Sequence, residues 1–532
     1  FALPDLPVSV DIAEMRIDKA VLGATVIGAA AEISFEGSAQ LAGGAGQATL
    51  AIERLDQPGR FDLEGAYDNA TRELALTLDL QEPENGLAVT LLGLPGQPSM
   101  ELTVTGEDPI SDFEATVHMA TDGQDRLSGT VTLLSDDAGT NSFALDLGGD
   151  IAPVFVPEFA EFLGDAVALE ARGARTSDGA LSLDDLRLQA AALMVEGTAR
   201  IGADGWPQSL ALDAAITPPQ GETVILPLPG GDTSVRSVTL KAGFDAEAGD
   251  AWTVTGRAVG FEQPGIAIDT LGFEGAGEIA RSAGSVSGDL TLDASGIAPQ
   301  DAALAGAIGE RLTGALDFGW TQGAPLRLRE VDLAGEDYGL AGTVRISGLD
   351  GDDTLTVVPD LALSAEDLGR FADLAGLGLG GAAELAISGR VAPLTGQLAL
   401  AFNGTTNDLA TGILPADRLL DGEGRLNIEL TRDETGLFAA PLLVETAHAR
   451  INGTAALRTG ASEIDVTARV EELSRALPGL IGPAEITAKA SQDGTAWNID
   501  AEAELPGETR ADFDGSITGD GRDNLRIAGA LS

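Results

Sequence analysis

The chain reads as all-β: a long, curled, mostly antiparallel sheet forming a groove with an aliphatic interior, punctuated by a few short helices. Three observations carry that reading. The first is alternation. Leu74, Leu76, Leu78 and Leu80 alternate with Glu73, Ala75, Thr77 and Asp79, and versions of this pattern recur along most of the 532 residues. A period of two places every second side chain on the same face of a strand. One face is therefore aliphatic and the other acidic or small and polar. The second observation is the punctuation between alternating runs. Ala203-Asp204-Gly205, Thr121-Asp122-Gly123 and Gln492-Asp493-Gly494 supply residues that tolerate the backbone of tight hairpins. Successive strands are then adjacent and antiparallel. The third is composition. Hydrophobic residues make up 44% of the chain but aromatic residues only 4%, so the apolar face is built from Leu, Val, Ile, Ala and some Phe.

The strands can be taken in order. Leu102 and Val104 sit in a run from Glu101 to Thr105. Leu426, Ile428 and Leu430 alternate with Arg425, Asn427 and Glu429. Ile464, Val466 and Val470 belong to the run beginning at Glu463, and Trp497 and Ile499 to the run ending at Leu505. Together with Leu74, Leu76, Leu78 and Leu80, these residues are the expected lining of the apolar face. A looser motif recurs, reading apolar, any residue, Gly, Thr or Ser, apolar. It includes Gly129, Gly197, Gly342, Gly453 and Gly515. A glycine inside a strand marks a bulge, a bend or a close backbone approach. Repeated bends would curl the sheet into a trough. The irregular spacing excludes a solenoid of fixed period.

Helical periodicity is sparse. Short insertions are expected near residues 157–164, 301–312 (with Leu304, Ile308 and Leu312 on one face), 364–375, 415–420 and 470–477. The start at Ser364-Ala365-Glu366-Asp367 resembles a capping box. These pieces can plug an end or brace an edge but cannot cover a whole sheet. The chain reads as one continuous β segment over residues 1–532, with its best candidate break at the Pro- and Gly-containing stretch 217–232. It does not start with Met, and alternation persists to Leu531, so both ends look cut from something longer. No run approaches the roughly 18 apolar residues of a membrane-spanning helix.

The formal charge is −53, from 84 acidic and 31 basic side chains. Nucleic-acid binding needs clustered Lys and Arg, so that class is excluded as a partner. Acids on the solvent face keep a long sheet soluble and discourage edge pairing; steering of a basic partner is the alternative. There is no Cys, which removes disulfides and thiolate chemistry. His118 and His448 lie far apart in sequence. Gly284-Ser285-Val286-Ser287-Gly288 has Val where a nucleophile elbow needs Ser, and residues 376–381 lack the Lys of a phosphate loop. The pairs Asp136-Asp137, Asp184-Asp185 and Asp352-Asp353 sit at turns or strand switches, where Asp is favoured anyway. The stretch from Gly348 to Leu355 resembles a single calcium β-roll nonapeptide without the tandem repeats of a real one. No catalytic residue, metal site or cofactor is expected.

The stretch from Leu363 to Gly389, with Leu394-Thr395-Gly396-Gln397-Leu398-Ala399-Leu400 after it, resembles the TamB family, the inner-membrane-anchored subunit of the bacterial translocation and assembly module. The alternation and the Gly-Thr motif are similar to that family and to the wider AsmA-like, bridge-like lipid-transfer superfamily along the whole chain. So is the start, Val8-Ser9-Val10-Asp11-Ile12. The resemblance implies a periplasmic β-taco groove, an inner-membrane anchor and a carboxy-terminal family domain outside this chain, and partnership with an Omp85-type outer-membrane barrel. It implies phospholipid movement between the two membranes and assembly of autotransporters and other outer-membrane proteins. It carries over no catalytic residues.

Strand spacing gives a compatible expectation. About 35 to 40 strands spaced ~4.8 Å apart would stack over a distance on the order of 170 Å, and an aliphatic face of that extent is a path for acyl chains. A chaperone that holds unfolded strands by edge pairing uses the same features. A surface adhesin or passenger-type β-solenoid, whose apolar face is an ordinary packed interior, is the competing reading.

Overall fold

Alternation without covering helices resolves into strands along nearly the whole chain. A computed structural model describes residues 8–23, 30–136, 138–219, 221–228, 232–349, 354–507, 509–518 and 524–531. The chain divides into two units, Phe1–Pro264 and Gly265–Ser532. Each is an open antiparallel sheet in which strands follow one another in sequence order.

Among the described residues of the first unit, fifteen long strands run from Val10–Leu22 to Ala251–Gln263. The one excursion from the meander joins Pro207–Ile216 to Ser237–Asp245, which pair directly. Between them the chain makes a two-residue ladder, Val224–Ile225 against Ser234–Val235. The stretch 217–232, apart from residues 220 and 229–231 outside the described set, therefore lies within this unit, and its Val224 and Leu226 are buried against Phe162. Among the described residues of the second unit, sixteen strands run from Ile266–Ala280 to Asn524–Leu531.

Consecutive connections of an antiparallel meander fall at opposite ends of the strands, so each sheet has two rims. Among the described residues all α-helices fall on one rim of each unit, which also carries short turns such as Asp122-Gly123 and residues 335–337, and the other rim carries short connections without an α-helix. In the first unit the helical rim holds Leu87–Leu91, Ala152–Phe155 and Ala160–Leu163, the last preceded by the 3-10 turn Pro157–Phe159. In the second it holds Ala302–Ile308, Leu368–Phe371 with Ala372–Ala375, Leu414–Leu420 and the 3-10 turn Leu473–Arg475. The 3-10 turn Arg281–Ala283 is the exception, on the turn rim.

Local chemistry sets the helix bounds. Asp301 accepts the backbone N–H of Leu304 at 2.9 Å, which starts the helix at Ala302. Gly309, at φ 78°, ends it, and Leu312 enters the next strand opposite Ala294 rather than completing a helical face. Ser364 and Ala365 stay in the strand Thr356–Ala365, and the cap is Asp367, which accepts Gly369 N–H at 2.8 Å. The helix Leu87–Leu91 has too few residues to show a period. Its first N–H groups are taken by Glu82, from Leu87 at 3.0 Å and Ala88 at 2.7 Å.

The cores collect on the helical rim. Leu80, Met100 and Met119 are buried with Val89, Leu94 and Val154 of the rim segments. Ala365, Ala383 and Val444 are buried with Leu368, Leu409 and Leu420. Val470 and Ala484 are covered by Leu473 and Ala476.

Candidate apolar groove

Directly paired residues in an antiparallel sheet share a face, so strand register shows whether separate alternating runs meet. In the first unit they form one row: Met15, Gly37, Leu50, Leu63, Leu78, Val104, Val117, Gly129, Leu147, Leu169, Leu188, Val195, Ala214, Leu240 and Gly256, each the partner of the next. In the second unit a row runs Gly275, Leu290, Leu316, Val331, Gly342, Leu361, Ile387, Phe402, Ile428, Leu442, Gly453, Val466, Ala488, Ala501 and Phe513. No position in either row is polar or charged. From Leu50 to Gly256, every member of the first row is half-buried.

The expected lining residues fall on these faces. Leu76 lies between Gly65 and Gly106, Leu78 between Leu63 and Val104, and Leu74 opposite Tyr67. Leu102 is paired with Leu80 and Met119, and Val104 with Val117. Leu426 meets Gly404 and Val444, Ile428 meets Phe402 and Leu442, and Leu430 meets Leu400 and Ala439. Ile464 lies between Ala455 and Ala490, Val466 between Gly453 and Ala488, and Ile499 between Ala490 and Gly515. Trp497, opposite Gln492, stands near the turn rim. Leu80 and Val470 are 8% and 3% exposed and belong to the covered rim cores rather than the open face. The same alternation also marks Met119, Leu147, Leu188 and Phe402, which the sequence did not single out as lining.

The recurrent glycine lies on the apolar face. Gly129 has φ 150°, and a Cβ there would stand 1.9 Å from the carbonyl oxygen of Asp146 on the next strand. Gly342, at φ 146°, would put one 2.3 Å from the carbonyl of Asp360. The backbone is turned so that only a hydrogen fits against the neighbouring strand.

The opposite face is ionic. Asp213 pairs with Lys241 at 2.6 Å, Arg187 with Glu196 at 3.0 Å and Arg469 with Glu485 at 3.1 Å, each across neighbouring strands. These exposed pairs add solubility and register more than stability. A cavity of about 1040 Å³ lies against this polar face, bordered by Asp465, Lys489, Asp500 and Asp514. Another of about 610 Å³ is bordered by Gln40, Gln47, Glu73 and Glu107. A cavity of about 460 Å³ sits at the turn-rim end of the apolar face, among Trp320, Leu326, Ile346 and Leu349.

The other candidate chemistry disperses. His118 Nε2 lies 3.0 Å from Asp125 in an exposed pair in the first unit, and His448 occupies a turn in the second. Asp184 lies 3.9 Å from Arg200 and Asp185 3.2 Å from Arg172. Asp137 and the residues from Asp350 to Asp353 lie outside the described residues. Among the described residues no group of three or more His, Asp or Glu is placed to hold a metal ion, and no helix is long and apolar enough to cross a membrane.

No family model, curated protein or solved structure matches this chain.

Proposed function

We propose that this chain is a non-catalytic, lipid-carrying groove of the TamB-like, AsmA-like kind, a segment of a periplasmic bridge anchored in the inner membrane. In this reading it moves phospholipids between the inner and outer membranes. It also assists assembly of autotransporters and other outer-membrane proteins with an Omp85-type, TamA-like barrel. The observation that carries the reading is the continuity of the apolar rows. Fifteen long strands in each unit contribute one apolar side chain or glycine to that unit's own row, with no polar or charged side chain in it.

The physics of such a line favours passage over tight binding. Each methylene of an acyl chain removed from water contributes about 0.8 kcal/mol. When successive positions offer similar side chains, a lipid gains about the same at each and has no deep well to leave. Its headgroup stays in water along the open side, so discrimination between headgroups is weak. The packed rim cores, with Leu80 and Val470 inside them, favour a second reading, an adhesin-like or passenger-type sheet whose apolar face is closed on itself.

Purification without detergent, followed by mass spectrometry of an organic extract, separates the two. Several phospholipids per chain with mixed headgroups are expected for a groove, and a folded, lipid-free protein supports the closed face. Val466→Asp sharpens the test, because it places a carboxylate between Gly453 and Ala488 in the middle of a row. It should cut transfer of fluorescent phospholipid between vesicles at least tenfold while the β-sheet circular dichroism persists. Unchanged transfer would overturn the proposal.

A further inference from the structure

Six consecutive strands of the second unit, from Ser285–Pro299 to Gly380–Ala392, are joined on the helical rim by three connections. These are the one containing helix Ala302–Ile308, the turn at residues 335–337, and the one containing Leu368–Phe371. In a flat sheet the first and third would lie four strand spacings apart, roughly 19 Å. An arginine side chain cannot span that distance, yet Arg370 reaches all three. Its Nη1 donates to the carbonyl oxygens of Gly306 at 3.2 Å and Ala307 at 3.1 Å, near the carboxy-terminal end of the helix. Its guanidinium is paired with Asp337 and lies 3.7 Å from Glu336, both in the middle turn. It also lies 5.1 Å from the ring centroid of Tyr338.

Tyr338 completes the arrangement. Its hydroxyl donates to the carbonyl of Ile308 at 3.1 Å, and its ring meets Phe371 edge-on at 6.1 Å between centroids. Gly309 leaves room for the guanidinium, since a Cβ there would stand 3.2 Å from Arg370 Nη1. The Arg370 side chain is 10% exposed in a chain whose other ion pairs are mostly open to solvent. Beneath it, Tyr338 and Phe371 pack on the cluster that contains Ala365 and Ala383, each 3% exposed.

We propose that Arg370 is a latch that draws three rim connections together into a lid over this end of the apolar face, and that releasing it opens the face from the side. A planar fork of donors suits the role: one side chain donates to two carbonyls, ion-pairs with a carboxylate and still presents a face to Tyr338. The consequence for ligand access rests on the lipid-groove reading; the latch itself does not.

The chain has no Cys, so Ala365→Cys places a single thiol under the lid. With Arg370 intact, a maleimide should label it slowly. Adding Arg370→Ala should accelerate labelling at least tenfold and speed hydrogen exchange at Ala302–Ile308 and Leu368–Phe371, with the amides of Arg311–Thr321 and Leu326–Ala334 unchanged. Arg370→Lys should fall between. Unchanged labelling and exchange would overturn the latch. If Arg370→Ala loosens every strand of the unit, Tyr338→Phe and Arg370→Lys decide: local acceleration at the two rim segments supports the latch, and parental behaviour in both sinks it. A third readout is uptake of a pyrene-labelled phospholipid from phosphatidylethanolamine vesicles. Faster uptake with faster labelling supports side access to a lipid path. Faster labelling with no uptake keeps the latch and counts against the lipid reading.

Discussion

The two rims of each sheet close the same kind of strand by different physics. On the turn rim the chain reverses within a few residues, and the groups that stabilise the reversal are neighbours in sequence. Asp136 accepts the N–H of Thr140 at 2.8 Å and of Ala138 at 2.9 Å, and Asp433 accepts Thr435 N–H at 2.7 Å and its hydroxyl at 2.6 Å. On the helical rim the stabilising partners come from distant segments. Leu368 and Leu420 pack with Ala365, Ala383 and Val444, and Arg370 binds carbonyls more than sixty residues earlier. A turn can be replaced by another turn with little consequence beyond itself. A rim plug is part of a core, and its loss is felt by every strand beneath it.

Removing a side chain from each rim should separate them by the largest margin. Leu473, 2% exposed between Val470 and Ala484, should lose about 3 kcal/mol on change to alanine. Leu394, 77% exposed on the turn rim, should change stability by less than about 0.5 kcal/mol. Urea midpoints of the two variants measure the contrast, and equal shifts would abolish the distinction between the rims.

A smaller effect is expected on the strands between the rims. Gly342→Ala forces a Cβ against the carbonyl of Asp360 at a φ that L residues rarely adopt, at a cost of about 2–3 kcal/mol. Alanine tolerated there without a shift in midpoint would mean that the sheet does not need the close approach.

The smallest effect is electrostatic and reaches both rims. The N–H of Thr140 holds the Asp136 carboxyl below its ordinary value, and the hydroxyl of Thr435 does the same for Asp433. On the helical rim the N–H of Gly482, with help from Ser474, lowers Glu472. A folded carboxyl that holds its proton less tightly than the unfolded one contributes stability that is complete above the ordinary value. That contribution is lost as the pH falls through the depressed folded value. Acid below the ordinary values of 3.8 for Asp and 4.5 for Glu should therefore loosen Asp136 with residues 138–140, and the segments 433–436 and 472–482. Native-state exchange in a falling pH series reads this directly. Asp136→Asn and Asp433→Asn should flatten the response of the turns alone.

Much of the fold was legible because its cause is local. Alternation over five or six residues specifies a strand and its apolar face without reference to the rest of the chain, so Leu76, Val104, Ile428 and Val466 were assigned to a lining from sequence. Asp204-Gly205 and Asp493-Gly494 marked turns for the same reason. What alternation could not supply was register. Whether Leu78 stands opposite Leu63 or one position away depends on turn length and bulges, and a one-residue slip reverses the face. Nor could it separate Leu80 and Val470, which are buried in the rim cores, from Leu76 and Val466, which are only half-buried. That difference comes from rim segments folded over particular strand ends.

The short helices mark the same boundary from another side. The helix near Asp301 showed helical spacing in sequence, and the one after Ser364 a start signal, although its cap is Asp367. Leu87–Leu91, too short to show a period, depends on Glu82 from the preceding strand for its first hydrogen bonds. The sequence by itself determined an all-β chain with one aliphatic face, because strand patterning is set by the next residue but one. Only the tertiary structure decided that separate runs align into continuous rows, that helices gather on one rim in each unit, and that Arg370 ties three of its connections together. Those outcomes depend on hydrogen-bond register and on contacts between residues far apart in the chain.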